Sequence, residues 1–215
     1  MRLRLKKTAH KGRLIVFEGT DGAGKTTLIE RTAAYLREKI GYGQVLVVKQ
    51  PTDLSRKTRL FQKMMYCNRY EEIDYRAVQL LTLSDRIQHQ HEVIEPALQE
   101  GKTVICDRYI YTSVANMESR GYDKELWFYK AATNIIRPDL CILAYVEPEL
   151  AVSRIKSRPE EARRHLDEEL LHKVATYFLE HAEQYRMVIA RTDRGAEMVF
   201  SDLLPYIDSL YWGTE

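Results

Sequence analysis

A glycine-rich segment near the start of the chain has the residue types and spacing of a phosphate-binding loop. Residues 19–26 match the pattern G-x-x-x-x-G-K-[ST] and follow a short apolar run. The glycines let the backbone curl so that successive N–H groups converge on phosphate oxygens. Lys25 is expected to reach the β- and γ-phosphates, and the Thr26 hydroxyl is expected to ligate Mg²⁺. The residues predicted to hold the triphosphate are Gly19, Thr20, Asp21, Gly22, Ala23, Gly24, Lys25, Thr26 and Thr27.

Two arginines and an aspartate elsewhere in the chain could bind a second anion and the metal. Asp107 and Arg108 directly follow the apolar run 104–106. A carboxylate there can hold the Mg²⁺ shell opposite Thr26, and an arginine offers a planar fork to a phosphate. Arg86 stands inside a long helical segment, where a charged side chain usually faces solvent, so phosphate binding is the second hypothesis for it.

The elements that must position these residues alternate between short apolar runs and longer helical segments. The runs are 14–17, 45–48, 104–106, 140–146 and 187–190, and the helical segments include 26–40, 74–99 and 166–185. Each run is continuously apolar, which is typical of a strand buried on both faces. Pro96 should end or kink its helix near Glu95. The alternation predicts an α/β fold, a five-stranded parallel sheet with helices on both faces in a three-layer sandwich, with ligands bound at the carboxyl ends of the strands.

The composition argues against two classes of function. The chain has 215 residues, and its 33 Lys and Arg nearly balance its 31 Asp and Glu, giving a net charge of +2. This balance argues against a dedicated nucleic-acid binder, although local pockets for small anions remain compatible with it. The apolar runs are far shorter than the roughly 18 residues that a membrane span requires, so no membrane partner is expected.

The chain is predicted to be one domain, because it lacks repeats and flexible linkers. Residues 13–215 form this domain, and residues 1–12 form a basic arm without the apolar core of a signal peptide. The arm is expected to be solvated or to extend the first strand, with partner binding or targeting as the alternative. Cys67, Cys106 and Cys141 are widely spaced, which favours free thiols in a reducing compartment such as the cytoplasm.

Seven segments, taken in order, resemble the thymidylate kinases, which are P-loop nucleoside monophosphate kinases. The resemblance extends over roughly Arg13 to Leu210. It is carried by Phe-Glu-Gly-Thr-Asp-Gly-Ala-Gly-Lys-Thr-Thr at 17–27, Lys-Gln-Pro-Thr at 49–52, Ser-Asp-Arg-Ile-Gln-His at 84–89, Ile-Glu-Pro-Ala-Leu at 94–98, Asp-Arg-Tyr at 107–109 with Ser113, Arg-Pro-Asp-Leu at 137–140 and Val-Glu-Pro-Glu at 146–149. The resemblance implies that Arg86 and Arg108 hold the acceptor's phosphate, that Asp21 lies beside the acceptor sugar and magnesium, and that Ser113 lines the pocket. It also implies a homodimer.

A mobile lid is expected to supply a further cation. Phosphoryl transfer brings two anions together, so positive side chains from separate segments must converge on one point. In the resembling family, the transition-state arginine comes from the phosphate loop or from the lid. Here Gly22 follows Asp21, so the charged segment 154–166 is predicted to provide it, with a solvated charge run as the alternative. The predicted catalytic residues are Lys25, Asp21, Arg108, Arg158, Arg163 and Arg164.

Three positions of the predicted acceptor pocket depart from the family pattern. Thr82 stands where the family has a phenylalanine that stacks on thymine, Asn116 replaces an aromatic residue that crowds the sugar, and Lys49 replaces an arginine. A different or relaxed acceptor is one interpretation. The other is that a neighbouring aromatic residue takes over the stacking, with Tyr75, Tyr111 and Tyr122 as the candidates.

The sequence therefore predicts an ATP-using, Mg²⁺-dependent kinase of a deoxynucleoside monophosphate, with dTMP as the leading acceptor. The predicted acceptor site comprises Asp21, Lys49, Thr82, Arg86, Arg108, Ser113 and Asn116. One alternative is a kinase for another phosphorylated or hydroxylated small molecule, which Thr82 and Asn116 favour. Another is a nucleotide-binding regulatory protein with little turnover. The absence of an Asn-Lys-x-Asp motif from the sequence argues against a GTPase.

Overall fold

The computed structural model describes residues 2–66, 72–159 and 165–213, and a parallel sheet forms its centre. The strands are β1 (Arg13–Glu18), β2 (Val45–Lys49), β3 (Thr103–Asp107), β4 (Leu140–Tyr145) and β5 (Met187–Arg191). Their order is β2-β3-β1-β4-β5, and every neighbouring pair is parallel. Val16 of β1 lies opposite Cys106 on one side and Cys141 on the other. The predicted five-stranded α/β architecture is confirmed.

Helices cover both faces of this sheet. They are α1 (Lys25–Ile40), α2 (Asp53–Arg56), α3 (Arg59–Tyr66), α4 (Tyr75–His89), α5 (Glu95–Gln99), α6 (Ile110–Ser119), α7 (Leu126–Ala132), α8 (Pro148–Lys156), α9 (Glu168–His181) and α10 (Ala196–Asp208). A wide helical turn, Gln90–Ile94, joins α4 to α5. It places Pro96 in the first turn of α5, where a missing N–H is tolerated. The predicted helix therefore changes its winding near Glu95 rather than ending there.

Alternate residues of β1 divide the interior into two cores. Leu14 and Val16 pack with α4, α5, α6 and α7, whereas Ile15 and Phe17 pack with α1, α8 and α10. The central strands are buried on both faces, as expected. The same expectation is wrong for β2 and β5, where Val47 and Ile189 are 39% and 42% exposed. These strands stand at the sheet edges, beyond full cover by the helices.

The basic amino-terminal arm packs against the domain. Lys6 forms an isolated bridge with Ile136, in which its N–H donates to Ile135 O at 2.8 Å, and Leu3 is buried. Cys106 and Cys141 are buried free thiols, and Cys67 lies outside the described residues. No helix in the described parts of the chain is long and apolar enough to cross a membrane.

Candidate active site

The phosphate loop connects β1 directly to α1, as the motif requires. Gly24 adopts φ 84° and Lys25 begins the helix, so the amino-terminal N–H groups of α1 face the loop. Gly19 adopts φ 133°, and a Cβ atom there would lie 2.2 Å from Ala144 O. A side chain at this position would therefore displace the loop or the neighbouring strand. The loop thus offers a helix amino terminus to an anion.

Lys25 lies inside this loop with its ammonium on the loop's own carbonyls. Its Nζ donates to Gly19 O at 3.0 Å and to Thr20 O at 2.7 Å. Burial and the charge of Arg108 together lower the pKa of Lys25 to about 7, and the Asp21 carboxylate opposes this shift. A polyanion bound in the loop would favour the charged ammonium and raise that pKa again.

Arg108 brings the end of β3 to the same loop. Its Nη1 donates to Gly19 O at 3.0 Å and to Thr112 Oγ1 at 3.2 Å, and its Nη2 pairs with the Asp21 carboxylate. The residue adopts φ 66°, which is uncommon for a residue with a side chain. The predicted catalytic pair Asp21 and Arg108 is therefore in direct contact, and an incoming phosphate would compete with Asp21 for the guanidinium.

The Arg86 side chain is buried in the interior of the protein and does not face solvent. It is 1% exposed, and its Nη1 and Nη2 donate to Gln50 Oε1 at 3.2 Å and Ser113 Oγ at 3.4 Å. Among the described residues its Nε has no hydrogen-bond partner. Burial lowers the pKa of Arg86, and Glu18 opposes this shift. A buried guanidinium whose hydrogen-bond partners are neutral is suited to bind an anion, because a buried charge is stabilised by a charged partner.

One cavity of about 430 Å³ receives all seven residues predicted for the acceptor. The cavity opens beside Thr20 and Asp21 of the phosphate loop. The predicted residues that line it are Asp21, Lys49, Thr82, Arg86, Arg108, Ser113 and Asn116. Side chains separated by up to 95 positions in the sequence thus meet next to the donor loop (Asn116 and Asp21).

Three aromatic side chains, Phe61, Tyr66 and Tyr75, line the same cavity as Thr82. Tyr75 is one of the three predicted substitutes for the missing phenylalanine, and it lines the cavity together with Phe61 from α3. Tyr111 packs instead against Tyr185, with ring centroids 5.1 Å apart. Tyr122 packs against Tyr75. The sequence analysis missed Phe61, because nothing in its local pattern links α3 to this pocket.

Three further polar residues of the site also escaped the sequence analysis. Asp85 accepts hydrogen bonds from the N–H groups of Thr52 at 2.8 Å and Ser55 at 3.2 Å, which fixes the start of α2 against α4. Gln50 bridges Arg86 and His89, with Nε2 3.1 Å from His89 Nδ1. His89 is half-buried in this arrangement. The third residue is Glu18, which precedes the loop.

Glu18 is a fully buried carboxylate that holds the start of α6. Its Oε1 accepts hydrogen bonds from the N–H groups of Tyr109 and Thr112 at 2.9 and 3.0 Å. Burial raises the pKa of Glu18, whereas the hydrogen bonds from Thr112 and the charge of Arg108 oppose the rise. Acidic groups are favourable at a helix amino terminus, and this one lies between the phosphate loop and Arg108.

Asp107 and Thr26, which are predicted to hold Mg²⁺, stand at the end of β3 and in the first turn of α1. Asp107 Oδ2 pairs with Lys49 Nζ at 3.2 Å, and its Oδ1 is buried without a hydrogen-bond partner among the described residues. Thr26 stands in the first turn of α1. A hydroxyl and a carboxylate fit a hard cation that keeps most of its water. The described part of the chain holds no group of three or more His, Cys, Asp or Glu that could bind a metal alone.

The predicted lid is only partly described. Arg158 is exposed just after α8, and Arg163 and Arg164 lie outside the described residues. Arg154, at the start of the predicted lid, belongs to α8 and is anchored to the donor loop. Its Nη1 donates to Gly22 O at 3.3 Å and its Nη2 to Thr192 O at 2.8 Å. The segment therefore begins from a fixed point beside the phosphates' expected position.

Comparisons with known proteins agree with this architecture. A family model described as thymidylate kinase matches residues 17–203. A probable thymidylate kinase of Pyrococcus horikoshii is 36% identical over 201 residues, covering 92% of this chain and 96% of that protein. A thymidylate kinase of a Geobacillus species is 33% identical over 199 residues, covering 89% and 93%.

A solved structure shares the fold. The crystal structure of thymidylate kinase from Ehrlichia chaffeensis superposes with a TM-score of 0.66 at 23% identity, covering 92% of this chain and 98% of that one. The similarity at this identity concerns the fold, whereas the family model and the relatives concern the sequence. On the latter evidence, the chain belongs to the thymidylate kinase family.

Proposed function

We propose that the protein transfers the γ-phosphoryl group of ATP to dTMP, with Mg²⁺, and releases dTDP and ADP. The observation that carries the proposal is the single cavity beside the phosphate loop that gathers the seven acceptor residues named above. Membership of the thymidylate kinase family supports the same reaction. Because Thr20 and Asp21 of the loop line this cavity, the proposed donor and acceptor sites would meet at Asp21.

The donor half binds the triphosphate mainly through main-chain amides. The N–H groups of residues 19–27 and the start of α1 face the phosphates, and Lys25 moves from the loop carbonyls to the β- and γ-oxygens. Thr26 and Asp107 would hold Mg²⁺, which neutralises charge on the phosphate oxygens when bound. A lid arginine, from Arg158, Arg163 or Arg164, completes the positive environment.

The acceptor half orients a phosphate oxygen toward the γ-phosphorus. Arg86 and Arg108 bind the acceptor's phosphate, and Asp21 lies beside its sugar. The acceptor oxygen attacks phosphorus directly as the bond to ADP breaks, so no protein nucleophile is needed. The contribution of the chain is therefore position and charge. Arg108 must exchange its contacts with Asp21 and Gly19 for the acceptor.

Phe61 and Tyr75 supply the apolar surface against which the base packs. Thr82 cannot supply such a surface. Both rings line the cavity, and the Thr82 hydroxyl is turned inward to Gln79 O at 3.3 Å. The departure at Thr82 is thus compatible with a pyrimidine acceptor. Asn116 donates to Thr112 O at 2.9 Å and leaves more room around the sugar than an aromatic ring would. This favours weaker discrimination against a 2′-hydroxyl.

ADP release measured with a panel of nucleoside monophosphates tests the proposal. We expect the highest kcat/KM with dTMP, and some turnover with the ribonucleotide counterpart. Stimulation by another acceptor but not by dTMP would favour the alternative kinase. ATP binding without stimulation by any acceptor would favour a regulatory protein instead.

We also propose a cytoplasmic homodimer. Leu54 on α2 and Leu80 on α4 are 60% and 57% exposed, and these two helices pack against each other. Exposed apolar side chains on adjoining helices are suited to a second copy of the chain. Buried free thiols at Cys106 and Cys141 accord with a reducing compartment. Light scattering of the wild type and of L80E tests the dimer, since the variant should be monomeric.

A further inference from the structure

Glu18 is a buried carboxylate to which the proposed reaction assigns no role. Its side chain is fully buried at the end of β1, and both carboxylate oxygens accept hydrogen bonds. The donors are the N–H groups of Tyr109 and Thr112 and the Thr112 hydroxyl. All of them belong to the segment that follows Arg108. A buried carboxylate is tolerated only where such bonds replace water, and here every bond points to the same turn.

Two hydrogen bonds from β1 hold the backbone at Arg108. Arg108 adopts φ 66°, a conformation that side chains disfavour and that neighbouring contacts must therefore enforce. Its own N–H donates to Phe17 O at 2.9 Å, and the next N–H, of Tyr109, donates to Glu18 Oε1. Two adjacent residues of β1 thus fix the direction in which the Arg108 side chain leaves the sheet.

The guanidinium of Arg108 is held through Thr112. The Thr112 hydroxyl has one proton, which it donates to Glu18 Oε2. Its lone pairs then face Arg108 Nη1, which donates to the same oxygen at 3.2 Å. Without a carboxylate acceptor the hydroxyl could rotate and turn its proton toward the cation. The Glu18 charge therefore sets the orientation of the hydroxyl that receives Arg108.

We propose that Glu18 is a positioning residue that acts through the Thr112 hydroxyl and the turn at Arg108 to aim the Arg108 guanidinium at the acceptor's phosphate. The inference rests on the proposed function, because it concerns the acceptor that Arg108 binds. Under this proposal two carboxylates act on Arg108 in different ways. Asp21 pairs with Arg108 from the loop, whereas Glu18 fixes the frame from which Arg108 reaches.

The matched variants T112V and T112S test the proposal. Valine has the shape of threonine without the hydroxyl, and serine keeps the hydroxyl. We expect T112V to lower kcat/KM for dTMP by about tenfold or more, because a displaced binding group costs rate steeply. The KM for ATP should change by less than about threefold, and T112S should remain within about threefold of the wild type for both substrates.

Calorimetric measurement of dTMP binding in an R108A background distinguishes a positioning role of Thr112 from a role in the stability of the fold. If Thr112 acts through Arg108, T112V weakens dTMP binding in the wild type but adds nothing in R108A, since the two changes remove one interaction. E18Q should behave like T112V, with thermal unfolding and ATP binding as checks that it folds. If E18Q fails to fold, the Thr112 pair decides.

The proposal is overturned if T112V matches T112S, if it weakens ATP and dTMP binding equally, or if it costs as much in R108A as in the wild type. Wild-type turnover with dTMP is measured first. Its absence would refute the proposed function, whereas normal wild-type turnover with an unaffected T112V would refute this inference alone.

Discussion

The donor and acceptor halves of the site are built in different ways. The proposed donor half is one contiguous stretch, residues 19–27, whose main-chain amides at a helix start are expected to bind the triphosphate. The acceptor half is assembled from side chains on separate helices and held by long-range contacts, such as those of Gln50 with Arg86 and of Glu18 with Thr112, 36 and 94 positions apart. The first is specified locally, and the second depends on the finished fold. Substitutions should therefore act differently in the two halves.

The largest effect is expected for the donor variant K25M. Methionine keeps most of the length of the side chain but removes the charge that is expected to face the transferring group, so kcat should fall by about 10³-fold. The fold should survive, because the loop is held by its glycines and by the main chain. K39M, on the exposed end of the same helix, is the control and should keep full activity. Steady-state kinetics with saturating dTMP measure the difference, and a small loss would remove Lys25 from the reaction.

The next largest effect is expected in the lid. One of R158A, R163A and R164A should lower kcat by two to three orders of magnitude, about the loss typical of a transition-state cation, with the unfolding temperature unchanged. The predicted lid begins at Arg154, which is hydrogen-bonded to Gly22 O of the loop. Turnover equal to the wild type in all three single variants would exclude the lid from the reaction.

On the acceptor side, R86M should lower kcat/KM for dTMP by about 10- to 100-fold, the usual effect of losing hydrogen bonds from a charged group. If Arg86 binds the phosphate, thymidine should inhibit R86M as well as it inhibits the wild type. A parallel loss of thymidine binding would place Arg86 on the base or sugar instead. R76M is the control, because Arg76 is exposed on the same helix and pairs with Asp74.

The contrast between the halves also explains what the sequence could predict. A motif of eight positions was enough for the donor loop, because glycine conformations and a helix start follow from local residues. The apolar runs predicted five strands for the same reason. Burial of β2 and β5 could not be predicted, since Val47 and Ile189 have the same residue types as the central strands. Position within a sheet is a property of the whole fold.

Residues that act through distant partners were missed. Asp85 stands beside the predicted Arg86, yet its bonds to Thr52 and Ser55 cross 30 or more positions. Phe61 reaches the cavity only because α3 packs on α4. Glu18 belongs to the recognised motif, but its contact with Thr112 exists only once β1 and β3 are paired. Charge and family resemblance thus predicted acceptor residues that line the cavity, but they did not predict the residues that hold those side chains in place.

A smaller effect is expected for a substitution of the residue proposed to stack on the acceptor's base. F61A should raise KM for dTMP by about tenfold, because loss of a stacking surface costs roughly 1–3 kcal/mol, while kcat changes little. F200A, on α10 against the other core, is the control for lost stability and should leave KM unchanged. An unchanged KM in F61A would assign the stacking to Tyr75 alone or to a different acceptor.

The smallest expected effect is the uptake of a proton when ATP binds. It tests whether Arg108 of the acceptor half influences the protonation of Lys25 in the donor half. Without bound ATP, burial and the charge of Arg108 hold the pKa of Lys25 near 7. The side chain is therefore largely the neutral amine at pH 8.5. A bound triphosphate raises that pKa, so ATP binding should take up a proton above pH 7 and little below it. ATP affinity should accordingly fall as pH rises from 7.5 to 9, by at most about tenfold per unit.

Calorimetry in buffers of different ionisation enthalpy measures this uptake, with K25R as the control because a guanidinium stays charged throughout the range. R108A should reduce the uptake, since removing the neighbouring cation lets Lys25 keep its proton before ATP arrives. Zero uptake in the wild type at pH 8.5 would mean that Lys25 is already charged. Equal uptake in wild type and R108A would mean that the acceptor arginine does not influence the donor lysine, and that the halves are electrostatically independent.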